Sequence, residues 1–300
     1  MKAEFRAPTS KDRKPLIELL PLKTPLTMYI DPSSICNFAC KFCFQANKKI
    51  KRQMQLQLMT MDIFNMIVEQ LGDFEDSIKM VHLHGFGEPL LNKNFYKMVK
   101  ILRDSKLVDR IATTTNVSLL TKENTHKIIE SGLNQVHFSI YGLSDDNYLT
   151  FSGKKTSFKH ILDNIKYFYA NKKNCHIHIK INGDYYSNAD KERFLDIFGD
   201  YCDSIFIDGV ANIWPLMDVA ETLSINLSKE QKETTKLQHQ YKHIKPQKDN
   251  LCPNIFYQLM IHSNGDISPC CADYLGKIKL GNIKTHNLKN IWGGGNRVWS

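Results

Sequence analysis

Between Pro25 and Trp214 a short apolar stretch alternates with a segment of helical spacing, and this alternation constrains the fold more than any other feature. The strand-like stretches are PLTMYI, IKMVHLHG, DRIATTTN, NQVHFSIYG, CHIHIKIN and CDSIFIDG. Between them, TMDIFNMIVEQLGDF, NKNFYKMVKILRDS, TKENTHKIIESG, SFKHILDNIKYFYAN and NADKERFLDIFGD carry apolar residues at helical spacing, the first opening on Thr60 as N-cap and the third closing on Gly132. Six strands separated by helices predict right-handed crossovers and a parallel sheet. Periodicity does not decide whether such a sheet curls as a barrel or opens as a doubly wound layer.

The pattern changes after Trp214. Residues 215–250 are rich in Lys, Gln, Thr and Glu and read as a polar linker or flap. Beyond them an apolar stretch, an Asn264-Gly265-Asp266 turn and a short return strand towards Cys270 predict a hairpin. The expected organisation is an N-terminal extension (1–25), an α/β core (26–214), the linker (215–250) and a small cysteine-bearing module (251–300). A chain of 300 residues, 42% hydrophobic and 24% charged, suffices for one large core and such an appendage. No stretch approaches the apolar length of a membrane span and the N-terminus has no apolar signal region, so a cytoplasmic protein is expected. Eight cysteines in that compartment point to metal or redox chemistry rather than disulfides. The net charge of +9 sits largely in lysine runs such as NKKIKRQ and ANKKN without interleaved arginine and aromatics. It reads as a solvated surface, and neither a nucleic acid nor a membrane is the expected partner.

Cys36, Cys40 and Cys43 form a C-x3-C-x2-C loop after the first predicted strand. Structural zinc takes four closed ligands, and no fourth Cys or His lies nearby. An iron-sulfur cube gripped by three cysteines leaves one iron open to another ligand. At the end of the second strand, in HLHGFGEPLL, Gly85 and Gly87 remove side chains where the backbone turns or approaches a ligand, and Pro89 fixes the exit. Cys175 and Cys202, in strand contexts, read as core thiols.

CNFACKFC resembles the signature of the radical S-adenosylmethionine (radical SAM) superfamily, and GFGEP resembles that family's GGEP motif. The resemblance implies a partial six-stranded (β/α) barrel whose three cysteines hold a 4Fe-4S cluster that chelates S-adenosylmethionine. It places Phe42 near the adenine and Gly85, Gly87 and Glu88 at the methionyl ammonium. TTTNVSLLT is similar to the family's TNG strand end, with Val117 where glycine is common, and HFSIYG to its serine-bearing strand, so Asn116 and Ser139 become cofactor contacts. An arginine that pairs with the methionyl carboxylate in related enzymes is missing from DNYLTFSGKK, and Lys180 is the candidate replacement, a point charge without a planar fork.

The C-x12-G-x4-C run from Cys252 through Gly265 to Cys270, with GNI and NIW after it, resembles the opening of a SPASM domain, which implies an auxiliary iron-sulfur cluster. Cys271 and Asp273 add local donors. The further cysteines of a full domain do not follow before Ser300, so an incomplete or truncated site is expected. A hairpin with buried thiols is the plain alternative. Together these resemblances imply an oxidoreductase that cleaves S-adenosylmethionine and abstracts hydrogen from a peptide or carbohydrate-type substrate, with flavodoxin or ferredoxin as electron donor. The segment before the first strand is too short for a folded leader-binding domain, which keeps sugars beside peptides as substrates. Trp214, Tyr185 and Tyr186 are candidate pocket aromatics. An RNA-binding or RNA-modifying relative using the basic surface is the alternative, recognisable by steep loss of binding with salt.

Overall fold

The computed structural model describes residues 1–6, 14–209 and 252–294. Trp214 and the predicted 215–250 linker lie outside them. In chain order the elements are β1 (Glu4–Phe5), β2 (Thr27–Ile30), α1 (Lys48–Lys51), α2 (Met61–Leu71), β3 (Met80–Leu83), α3 (Phe95–Ser105), β4 (Ile111–Thr115), α4 (Lys122–Glu130), β5 (Gln135–Ile140), α5 (Asp145–Ser152), α6 (Phe158–Asn171), β6 (His176–Asn182), α7 (Asn188–Phe198) and β7 (Ser204–Asp208). A C-terminal group follows, comprising β8 (Gln258–Ile261), β9 (Asp266–Ser268), β10 (Gly281–Asn282) and α8 (Leu288–Trp292). The six anticipated strands are β2 to β7. The two-residue β1 and β10 and the helices α1, α5 and α8 were not anticipated.

The helices start where hydroxyl side chains can satisfy their first backbone N–H groups. Thr60, Thr121, Ser144, Ser157 and Ser187 each accept a hydrogen bond from the backbone N–H three residues on, and each such cap stabilises its helix by about 1 kcal/mol. The ten strands of the described residues join one sheet in the order β1-β7-β6-β5-β4-β3-β2-β8-β9-β10. Pairing is parallel from β1 to β8 and antiparallel through β9 and β10. The C-terminal hairpin therefore continues the main sheet, with Thr27 opposite Gln258 and Ile30 opposite Ile261.

Strand residues alternate between two environments. Met28, Ile30, Val81, Leu83, Ile111, Val136, Phe138, Ile177, Ile179 and Ile205 are buried in one cluster with helical Ile67, Met98, Leu102, Ile165 and Phe198. Residues of the other parity are largely polar. Tyr29 pairs with His82, Thr114 with His137, His137 with His178, and His178 with Ser204. Helices thus cover one face, and the opposite face carries the chemistry. Among the described residues no helix is long and apolar enough to cross a membrane.

Candidate active site and metal centre

The C-terminal ends of β2 to β7 converge on a cavity of about 440 Å3. Cys36, Cys40 and Cys43 line it together with Phe42, Gly85, Gly87, Glu88, Asn116, Ser139 and Lys180, so the residues singled out around the first cysteine loop all meet in one place.

The β3 end and the cysteine loop are locked backbone to backbone. A Cβ on Gly87 would stand 2.2 Å from the Ile35 carbonyl oxygen and 2.4 Å from that of Ser33, so only glycine permits the contact. Glu88 N–H donates to Ile35 O (2.9 Å). Phe86 N–H donates to Asp31 Oδ1 (3.2 Å), and a Cβ on Gly85 would collide with that Asp31 side chain. Buried Gln45 ties both segments by donating through Nε2 to Ser34 O (2.8 Å) and Phe86 O (2.9 Å). Asp31 and Gln45 were missed in the sequence. Their signal there is weak, since a polar residue beside a motif reads as solvent-facing.

Glu88 is buried, and its oxygens organise the protein. Oε1 accepts from Leu90 N (3.1 Å) and Thr115 Oγ1 (2.7 Å), and Oε2 accepts from Asn116 N (2.8 Å). Burial raises its carboxyl to about 7 against the opposing pull of these three donors. Oε1 is saturated, whereas Oε2 keeps acceptor capacity for a ligand. Asn116 in turn donates through Nδ2 to Asn37 Oδ1 (2.8 Å), Asn37 Nδ2 donates to Ser118 Oγ (2.9 Å), and Ser118 Oγ donates to Asn116 Oδ1 (2.6 Å). This closed ring fastens the β4 end to the cysteine loop. Val117, where the motif has glycine, adopts φ 69°.

Phe38 N–H donates to Cys36 Sγ (3.4 Å). Burial lifts Cys36 to about 11, Cys43 to about 12 and Cys40 well above the ordinary thiol range, and Cys40 and Cys43 are also pushed up by neighbouring thiols. Burial holds all three as neutral thiols in the free chain, and as thiolates they would need a cationic core between them, a donor set suited to iron and sulfide. Among the described residues no group of three His, Cys, Asp or Glu could hold a single metal ion. Ligands at three corners of a cube stand farther apart than ligands of one ion.

Across the cavity, Ser139 is paired with Lys180, and Lys180 Nζ lies 3.5 Å from Asp208 Oδ2. Lys180 is the one cation among the described residues lining the cavity, although its nearest anion is the protein's own. Phe42 stacks on Tyr141 (5.8 Å) and Tyr185 (6.4 Å), and Tyr186 Oη donates to Tyr141 O (3.3 Å). The two predicted tyrosines therefore brace the wall that carries Phe42.

The C-terminal thiols form a second group. Ala272 N–H donates to Cys270 Sγ (3.4 Å) and Gln258 Nε2 to Cys271 Sγ (3.8 Å), and the interaction of the two adjacent thiols holds Cys270 below and Cys271 above the ordinary thiol range. Cys252 precedes the 253–256 turn. Asp273 accepts from Lys277 N (2.9 Å) and Ile278 N (2.8 Å), the position of a loop organiser. Cys175 and Cys202 are buried in the core, as expected.

The radical SAM superfamily matches residues 30–196, more than half of the chain. The chain belongs to the radical SAM superfamily. The SPASM iron-sulfur cluster-binding domain matches residues 252–297. The cofactors that go with this membership are an iron-sulfur cluster and S-adenosylmethionine. GTP 3',8-cyclase of Clostridium perfringens (strain 13 / Type A) is 26% identical over 171 residues, 56% of this chain and 49% of the relative. A tungsten-containing aldehyde ferredoxin oxidoreductase cofactor-modifying protein of Pyrococcus furiosus is 28% identical over 113 residues, 38% of this chain and 30% of the relative. The radical SAM chain described here spans about half or less of these relatives. Among solved structures, Streptococcus suis SuiB bound to the precursor peptide SuiA shares the fold with TM-score 0.64 and 20% identity, covering 92% of this chain and 66% of that one. Native anSMEcpe with bound AdoMet gives TM-score 0.62 at 18% identity over 89% of this chain and 80% of that one. BtrN in complex with AdoMet and 2-DOIA gives 0.51 at 19%, over 89% and 81%.

Proposed function

We propose that this enzyme reductively cleaves S-adenosylmethionine at a 4Fe-4S cluster held by Cys36, Cys40 and Cys43 and abstracts hydrogen from a peptide or carbohydrate-type substrate in an oxidative modification. The observation that carries this reading is the convergence of three buried or half-buried thiols with the ends of β3 to β6 on one cavity. When bound, the cluster and S-adenosylmethionine supply a 5′-deoxyadenosyl radical. The chain's own part is positioning. Gln45, Gly87 and the ring of Asn37, Asn116 and Ser118 hold the cysteine loop against the strand ends. Glu88 Oε2 offers acceptor capacity to the methionyl ammonium, Asn116 and Ser139 lie along the same wall, and Phe42 provides an apolar face for the adenine. Lys180 would exchange its partner Asp208 for the methionyl carboxylate.

The SuiB and BtrN likenesses, one bound to a precursor peptide and the other to 2-DOIA, support a peptide or carbohydrate-type substrate. The C-terminal thiols support an oxidative outcome, since a second iron-sulfur centre there would accept the electron of a substrate radical. Flavodoxin or ferredoxin is the proposed donor. The test is anaerobic reconstitution with iron and sulfide, followed by reduction with dithionite in the presence of S-adenosylmethionine. Methionine and 5′-deoxyadenosine are expected from the wild type, with loss of at least about a thousandfold in the triple variant Cys36→Ala, Cys40→Ala, Cys43→Ala, the scale expected when a cofactor that carries the chemistry is removed. Undiminished cleavage by that variant would falsify the reading.

A further inference from the structure

The cysteine loop is flanked on both sides by cations that have no anion of their own. From Pro32 to Met61 the chain contains no Asp or Glu, and exposed Lys41 lies between Cys40 and Cys43 in the loop itself. After Cys43 the backbone turns tightly, with Ala46 N–H donating to Cys43 O (3.0 Å) and Asn47 N–H to Phe44 O (3.0 Å). Asn47 Oδ1 then caps α1 by accepting from Lys49 N (3.0 Å) and Ile50 N (3.2 Å). Ile50 is buried with Phe44 and Phe86, which pins α1 by its apolar side chain and leaves Lys48, Lys49 and Arg52 exposed. On the other side Ala39 N–H donates to Ser152 O (2.9 Å) and Lys41 N–H to Phe151 O (3.0 Å), and a Cβ on Gly153 would stand 3.1 Å from Ala39 O. Exposed Lys154 and Lys155 follow directly. Among the described residues none of these six side chains is in an ion pair, whereas Lys23, Lys79, Lys100 and Lys172 each hold a carboxylate. The same backbone exposes two apolar side chains, Ile35 next to Cys36 and Leu58, whose segment is bridged to Ser33.

We propose that this basic rim is the docking surface of an acidic electron-carrier protein, which delivers its electron to the cluster held by Cys36, Cys40 and Cys43. The proposal rests on the function proposed above. Unneutralised like charges repel one another, and a partner of opposite sign relieves that repulsion and is steered to the loop by the same field. Cys36 and Cys43 are only half-buried, so a protein seated on the loop comes close to the thiols without entering the cavity. Exposed apolar side chains among charged ones match the anatomy of such an interface. The carrier loses one electron and the cluster gains it, and no bond forms or breaks in the transfer. Nucleic acid answers to the same charge but also needs aromatic faces for its bases, and here Phe38 and Phe44 are buried and Phe42 is stacked on Tyr141.

The test uses the full chain reconstituted with iron and sulfide, and a reduced flavodoxin of net negative charge as the probe. Flavodoxin oxidation is followed by stopped flow in the presence of S-adenosylmethionine, and iron content and the 5′-deoxyadenosine formed with saturating dithionite are measured alongside. The wild-type second-order rate should fall at least about tenfold between about 0.05 and about 0.5 M salt, because salt screens the steering field. The variant Lys48→Glu, Lys49→Glu, Arg52→Glu should slow the low-salt rate at least about tenfold and lose the salt dependence, with iron and dithionite-driven product unchanged. A matched control, Lys97→Glu, Lys173→Glu, Arg193→Glu, reverses as many exposed charges on α3, after α6 and on α7, and should leave the rate within about twofold. A wild-type rate indifferent to salt overturns the proposal, and so does equal slowing by the two variants. Should the first variant lose its iron, Lys48→Gln, Lys49→Gln, Arg52→Gln replaces it and must slow the rate at least about threefold, and an unmoved rate overturns the proposal. Unchanged flavodoxin rates with loss of binding to a transfer RNA overturn it as well and give the rim to nucleic acid. A wild-type protein that takes up no iron, or forms no 5′-deoxyadenosine with dithionite, refutes the proposed function and this docking role with it, an outcome distinct from a charge-insensitive rate on a working enzyme.

Discussion

Val117 shows what the site demands of a single residue. It is β-branched, fully buried and left-handed at φ 69°, a conformation that costs an L-residue about 1–2 kcal/mol. The turn it makes delivers Asn116 N–H to Glu88 and Ser118 to Asn116 and Asn37, so the strain lies where the cavity wall is assembled. Val117→Gly would relieve that strain while losing a buried side chain. Val136→Gly, in β5 at 2% exposure, would lose the burial with no strain to relieve. Urea unfolding of the two variants should therefore show Val117→Gly to be less destabilising by about 1–2 kcal/mol, and equal losses would mean that the turn is unstrained. The motif residues were legible because glycine and cysteine carry their chemistry in their identity. Gln45 and Asp31 were not, because their roles depend on which backbone groups the fold brings to them. The departure at Val117 was visible in the sequence, but the left-handed turn it occupies was not.

At the scale of the element, the sequence shows why strands β2 to β7 formed where expected and what their second face does. Apolar residues at alternate positions made the strands readable. The intervening polar residues in HLHG, VHFS and HIHIK carried an equally regular signal that was left unread, a row of histidines on the face opposite the helices. Tyr29 stacks on His82 (4.6 Å), His82 meets His84 (5.3 Å), and His137 meets His178 (5.1 Å). Burial, reinforced at His84, His137 and His178 by nearby Lys180, lowers His82 and His178 to about 4, His137 to about 3 and His84 well below the ordinary imidazole range. Below about pH 6.5 the unfolded histidines take up protons that the folded ones refuse, so their contribution to stability falls with acid, by about 1.4 kcal/mol per pH unit for each proton. Asp31 and Glu88, both raised by burial to about 7, act in the opposite sense, because folding keeps them protonated where the unfolded chain ionises. Four histidines against two carboxyls leave a net uptake of protons on unfolding. The urea midpoint of the metal-free protein should accordingly fall between about pH 6.5 and about pH 4.5, and His178→Gln should flatten the slope. A midpoint constant across that window would show these imidazoles to be freely hydrated.

For the whole molecule, the position of β8 decides whether the cysteine loop can exist without the C-terminal segment. β8 is buried along its length against β2, and Asp31 N–H donates to Ile261 O (2.9 Å) where the loop begins. Ser263 Oγ donates to Ser34 Oγ (3.1 Å), Gln57 Nε2 to Ser263 O (3.0 Å), and Tyr274 stacks on Phe44 (4.4 Å, 8°), the residue after Cys43. Farther round, Gln70 Oε1 accepts from Leu288 N (2.9 Å) and Trp292 Nε1 donates to Leu22 O (2.7 Å), while Ile267, Leu288 and Ile291 belong to the same core cluster as Met28 and Ile30. Hydrogen bonds and apolar contacts on this scale make the hairpin and the α/β core one cooperative unit rather than two that unfold apart. The full chain should unfold in a single transition by both near- and far-ultraviolet circular dichroism. Removal of everything from Cys252 onward would expose β2 as an unpaired edge flanked by apolar side chains, a template for aggregation. The truncated chain should therefore be recovered mainly as insoluble protein. Tyr274→Ala, which leaves the sheet intact, should instead keep the single transition and lower the iron retained at Cys36, Cys40 and Cys43 after gel filtration. A soluble truncated chain with the iron content and unfolding midpoint of the full protein would show that the cysteine loop stands on the core alone.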